Sequence, residues 1–149
     1  MKRLVVCVVL VACGGQTKPQ QVSPAPPPKP YIDENLLRAW ERRNEIDRLW
    51  IQIRGWRHDA GWELDPPSAL ELEFRTKSVT DARRVCPDGH DEPASCREIC
   101  SLAHDICDNA ETICSIADEL GKDDPAQRKC TSAKASCRDA EQRCCDCAP

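Results

Sequence analysis

The sequence predicts an all-α fold: a disulfide-laced antiparallel helical hairpin with an N-terminal amphipathic helix packed on it, together a small helical bundle. Three observations carry this. Ten of the 12 cysteines fall between positions 86 and 147. Six of those recur in strict sevens, at Cys100, Cys107 and Cys114 and again at Cys130, Cys137 and Cys144. Apolar residues in the middle of the chain recur at steps of three and four, the period of a helix. One Phe, one Tyr and 4% aromatic residues in a 149-residue chain cannot build a large core, so covalent bridges must supply part of the stability. A net charge of −4 argues against nucleic acid as a partner and against a polybasic membrane-binding surface. Twelve cysteines point to an oxidising compartment unless they hold metal.

In chain order, Lys2 and Arg3 precede an apolar run from Leu4 to Ala12. The run is far short of the about 18 residues that span a bilayer, and it has the form of a cleaved export signal. It ends Leu10-Val11-Ala12-Cys13, followed by Gly14 and Gly15. This ending resembles the lipobox of bacterial lipoproteins. The resemblance implies that residues 1–12 are a signal peptide, that Cys13 is acylated as the first mature residue, and that the lipid makes the membrane a partner. In that family Gly14, in place of Asp, implies sorting to the outer membrane of the cell envelope. Cys7 leaves with the signal. Residues 13–30 read as a lipid-anchored tether. Six prolines between 14 and 30, with Val22 the one sizeable aliphatic residue, preclude a core. They favour an extended polyproline II path of about 3.1 Å per residue.

Residues 31–85 form an amphipathic helical segment. A helix is expected from 34 to 58, with Asp33 as N-cap and Ile32 and Leu37 as a hydrophobic staple. Its apolar positions are Leu36, Ala39, Trp40, Ile46, Leu49, Trp50, Ile53 and Trp56, and the tryptophans read as core. After the break at Asp65-Pro66-Pro67, Leu70, Leu72 and Phe74 alternate with Glu71, Glu73 and Arg75 as a strand would, but a second helix is preferred, opened by a Ser68/Glu71 capping box and supported by the i,i+4 pairs Glu71/Arg75 and Glu73/Lys77.

Residues 86–149 form the Cys-rich hairpin. Ser95 and Glu98 read as a capping box opening its first helix, and Gly121 suits the end of that helix. Asp124 reads as the next N-cap, with Pro125 at N1 and Gln127 at N3. Cysteines seven apart on one helix lie about 10 Å apart, beyond the roughly 7 Å reach of a disulfide, so each must pair across to the other helix. In an antiparallel hairpin facing residues have position numbers with a constant sum. The pairs Cys100–Cys144, Cys107–Cys137 and Cys114–Cys130 share one sum, giving three stacked bridges. Ala103, Ala110 and Ala117 on one helix and Ala126, Ala133 and Ala140 on the other complete a seam of Cys and Ala. Cys86, Cys96, Cys145 and Cys147 form two further bridges. Cys96–Cys147 with Cys86–Cys145 lies nearest the register, and Cys96–Cys145 with Cys86–Cys147 remains open. Ile99, Leu102, Ile106, Ile113, Ile116 and Leu120 make a second stripe on the first helix, to be covered by the helix upstream. The second helix, lacking such a stripe, is expected to lie outside in water.

Thiolates suit Cu(I) and Zn, and rows of cysteines on helices resemble the exported copper storage proteins. That family implies Cys at steps of three or four with Met nearby; here the steps are seven and Met1 is the one Met. His104 is the His nearest the Cys rows, while His58 and His90 lack zinc spacing. The mature chain has no C-x-x-C at a predicted helix start: Cys144-Cys145-Asp146-Cys147 falls at the far end of the second hairpin helix, and there is no hydrolase or phosphate-loop signature. The pattern as a whole resembles Cys-rich envelope lipoproteins of predatory and other Gram-negative bacteria. The expectation is therefore a non-catalytic, membrane-anchored envelope lipoprotein, without cofactor or bound metal, presenting a structural or interaction module to an envelope protein. The alternatives are a periplasmic Cu(I)- or Zn-thiolate protein and a thiol-disulfide redox protein.

Overall fold

The structure, a computed structural model, describes residues 33–87 and 93–147. The fold is all-α: α1 (Glu34–Asp59), α2 (Ser68–Glu73), α3 (Val79–Arg83), α4 (Arg97–Leu120) and α5 (Asp124–Cys145), with a 3-10 turn at Ala94–Cys96 ahead of α4. Helices α4 and α5 form the antiparallel hairpin. α1 lies along α4, and the short α2 and α3 lie against α5. The proposed signal peptide, Cys13, the tether, Ile32 of the staple and His90 lie outside the described residues.

α1 begins where Asp33 accepts a hydrogen bond from the Asn35 N–H at 2.9 Å, with Glu34 in the first turn and Arg57 and His58 in the last, each complementing the helix dipole. It ends before Gly61, whose φ of 74° turns the chain away. Ile46, Leu49 and Ile53 are buried against the hairpin, and Trp50 and Trp56 pack at its edge. Fully burying such aliphatic side chains contributes about 1.5–3 kcal/mol each. Leu36, Leu37 and Trp40 do not join the core; Trp40 is 59% exposed. The register explains this. Arg42 meets Glu119 at 3.0 Å and Arg43 meets Asp123 at 2.6 Å, so α1 reaches the hairpin turn there. Its first two turns have no α4 beneath them.

α4 opens differently from the sequence expectation. Pro93 starts a 3-10 turn, with the Cys96 N–H donating to the Pro93 carbonyl at 2.8 Å, and Ser95 is taken into that turn instead of capping the helix. Cys96 precedes α4 without a side-chain cap. At the far end Gly121, at φ 66°, supplies the left-handed residue that stops the helix. The N-cap of α5 is Asp123, one residue before the expected Asp124; it accepts from the Ala126 N–H at 3.0 Å. Gln127 donates instead to the Ala117 and Gly121 carbonyls at 3.0 and 3.3 Å, satisfying orphan acceptors at the end of α4.

α5 is enclosed, not external. Residues 132–137 are buried in succession, including Ser132, Lys134 and Ser136. α4 covers one side, α1 another, and α2 and α3 a third. Small Ala and Ser side chains let those short helices approach closely, so burial here needs no aliphatic stripe. Residues 62–87 are thus a strap over α5 rather than a single helix. Pro67 precedes α2, so Ser68 is already helical and does not cap. The reciprocal capping box belongs to α3: the Asp81 N–H donates to Ser78 Oγ at 3.1 Å and the Ser78 N–H donates to Asp81 Oδ2 at 2.9 Å. Phe74, at the end of α2, is buried, and Glu73 pairs with Lys77.

Candidate functional site

The residues singled out by their spacing converge on one feature, a ladder of cystines between α4 and α5. Cys100–Cys144, Cys107–Cys137 and Cys114–Cys130 are bridged, with Cα separations of 4.7, 4.6 and 4.7 Å. Adding two Cα radii of about 2.3 Å puts the helix axes about 9 Å apart. That separation lies within the roughly 8–10 Å range of packed helices and is fixed here by sulfur. All six seam alanines, at 103, 110, 117, 126, 133 and 140, are buried between the rungs. Two further bridges close the open end, Cys96–Cys147 at 5.9 Å and Cys86–Cys145 at 5.4 Å. The first ties the entry of α4, and the second the strap after α3, to the residues around the end of α5.

The ladder is dry where it runs through the core. Cys96, Cys100, Cys107 and Cys137 are wholly buried and Cys144 nearly so, whereas Cys86, Cys114, Cys145 and Cys147 are half-buried. A bridged sulfur is neither a thiolate ligand nor a nucleophile. The Glu141 carboxyl group lies 3.5 Å from Cys107 Sγ. Among the described residues no group of three or more His, Cys, Asp or Glu is arranged to hold a metal ion. His104 is exposed on α4, and His58 is exposed with Nδ1 3.4 Å from Asp59.

Two features escaped the sequence reading. Arg57 is 0% exposed. Its Nε donates to the Glu63 carbonyl at 2.8 Å, Nη1 lies 3.0 Å from Asp139 Oδ2, and the guanidinium lies 5.9 Å from the centre of the Trp62 ring. Arg143 covers the same ring at 4.6 Å and also meets Asp139, at 3.2 Å. Burial pulls Arg57 below the ordinary arginine pKa, an effect Asp139 opposes. The signal was present: positions 46, 49, 53 and 57 are one helical face, and the last holds Arg where the pattern wants an apolar residue. The second feature is an open groove of about 1200 Å3 between α2 and the first turns of α5, with Trp50, Ala69, Leu72 and Pro125 among its walls. Arg54 and Lys129 lie 4.6 and 5.7 Å from the Trp50 ring centre, and Lys129 also pairs with Asp47. No single residue reveals the groove in sequence, because its walls come from three helices. Comparison with protein-family models, with curated proteins and with solved structures finds no match.

Proposed function

We propose that this chain is an exported, lipid-anchored protein of the cell envelope whose cystine-stapled helical module works by non-catalytic binding or as a structural element. The observation that carries the reading is the ladder: all ten described cysteines are bridged, six of them along one seam and four at its open end. Bridges of this number persist in an oxidising compartment. Lys2, Arg3, the apolar run and Leu10-Val11-Ala12-Cys13 provide a route to such a compartment and an acylation site. Buried, bridged cysteines favour this reading over a thiolate metal store and over a thiol-redox protein, both of which need reactive sulfur.

The test is expression in a Gram-negative host with a radiolabelled or alkyne-tagged palmitate. The native chain takes up the label, fractionates with the outer membrane, and yields no free thiols after denaturation. The Cys13→Ala chain takes up no label and leaves the membrane fraction. A membrane-free native chain contradicts the anchor, and reduced thiols holding stoichiometric copper or zinc contradict the structural role of the ladder.

A further inference from the structure

The order of the bridges along the chain has a chemical cost that the finished fold conceals. Of the five bridges, only Cys114–Cys130 joins cysteines that are neighbours in sequence order. The other four are nested around it or crossed at the open end, and ten cysteines admit roughly 900 complete pairings. A chain entering an oxidising compartment from its N-terminus presents Cys86 and Cys96, then Cys100 and Cys107, before any native partner has emerged. Short loops close fastest, so bridges between near neighbours, Cys86–Cys96 and Cys100–Cys107 among them, form ahead of the long native loops, and Cys137–Cys144 has the same local advantage later. Two of these are incompatible with the helices. Cysteines seven apart on a helix sit about 10 Å from each other, so Cys100–Cys107 breaks α4 and Cys137–Cys144 breaks α5. At the open end Cys144 and Cys145 are adjacent yet belong to different partners, Cys100 and Cys86.

We infer that the chain is a client of a thiol-disulfide isomerase, a partner presenting a reactive thiolate and a surface for unfolded segments, and that the ladder is a product of that enzyme's chemistry. The inference rests on the export reading for the compartment in which the bridges are made. Forming five bridges removes two electrons and two protons for each, which pass to a disulfide-bearing oxidoreductase. Correction then consumes no further oxidant. The isomerase thiolate attacks Cys107 Sγ in the Cys100–Cys107 bridge, the sulfur–sulfur bond breaks, and Cys100 leaves as a thiolate. Cys137, freed likewise from Cys144, attacks Cys107 Sγ in the mixed disulfide, and the isomerase thiolate departs. Cys100 and Cys144 then close the next rung by attack on the mixed disulfide left on Cys144. Burial supplies the stop. Cys100, Cys107 and Cys137 are wholly enclosed in the finished seam, so correct rungs pass out of reach while wrong ones, lying on broken helices, stay open.

The experiment uses the full mature chain carrying Cys13→Ala, which removes the acylated sulfur and leaves all ten bridging cysteines. Reduced, denatured protein is refolded in a thiol-free oxidant, in a glutathione redox pair, and in that pair with purified protein disulfide isomerase, and bridges are mapped by mass spectrometry. Expected are Cys100–Cys107 and Cys137–Cys144 peptides as main products in the first, and conversion to Cys107–Cys137 that is slow in the second and fast in the third. The native map as the main product in the thiol-free oxidant overturns the inference, since helix pairing would then precede and direct oxidation. In cells lacking the isomerase of the envelope, an unchanged native map overturns it equally, and loss of that map supports it. Fully reduced protein recovered from normal cells would end the export reading, a different failure from either.

Discussion

At the scale of the residue, the middle rung and the Arg57 cluster do different kinds of work. Cys107–Cys137 acts on the unfolded chain, restricting it more than it adds contacts to the folded one. Replacing both by Ala is expected to cost about 3 kcal/mol in guanidinium denaturation, with cooperative unfolding retained because the rungs on either side hold the register. Arg57 acts in the folded state, tying α1 to α5 and to the carbonyl of Glu63. Arg57→Ala leaves that carbonyl and part of Asp139 without a partner and is expected to cost about 3 kcal/mol by the same measurement. Arg57→Met, which keeps the buried stem, should lose less. Asp123 titrates below the ordinary carboxylate range, held there first by the Ala126 N–H and then by Arg43. Its folded pKa is depressed, so its stabilisation is complete above the ordinary carboxylate range and is lost as pH falls through the lowered value. Asp123→Asn keeps the cap acceptor and should flatten that part of an acid-unfolding curve.

At the scale of the element, the hairpin and its cover were unequally legible. The facing positions of Cys107 and Cys137, and the small residues between rungs, follow from spacing alone because a disulfide permits so narrow a range of distances. The place of α5 does not. Lys134 is only 8% exposed, with Nζ donating to the Lys77 carbonyl at 2.8 Å, and no periodicity of apolar residues announces a helix buried through Ser, Ala and the stem of a Lys. Pro93 and Ser78 show the same limit in smaller form: a local 3-10 turn takes Ser95 out of the cap position, and the reciprocal box that forms is Ser78 with Asp81, not Ser68 with Glu71. Burial lowers the pKa of Lys134, so the folded chain gives up this proton before the unfolded chain does. Stability should therefore rise with pH between the lowered folded value and the ordinary lysine value, and Lys134→Met should abolish that rise in pH-dependent denaturation. In the seam, Ala110→Leu is expected to destabilise by about 1–3 kcal/mol, since helices held this close by sulfur cannot part to admit the larger side chain. A neutral outcome would mean that the rungs do not fix the spacing.

At the scale of the whole molecule, sulfur and the upstream strap share the task of a core. Ile106, Ile113 and Ile116 are buried with Ile46, Leu49 and Ile53 of α1 in one cluster. Removing residues 31–80 should uncover that stripe, and the remaining hairpin should bind hydrophobic dyes or associate. A dye-silent monomer would contradict the cover by α1. The overhang of α1 past the hairpin turn could not be foreseen, because it depends on the register between two helices of different length rather than on the pattern of either. The claim on which all of this depends is that the two rows of sevens face each other head to tail, joined by oxidised sulfur. Mass mapping of cystine-linked peptides from the unreduced protein tests it most directly. The account predicts Cys107 linked to Cys137, flanked by Cys100–Cys144 and Cys114–Cys130, with no free thiol among the ten. Cys107 linked to any other cysteine, or found reduced, would contradict it.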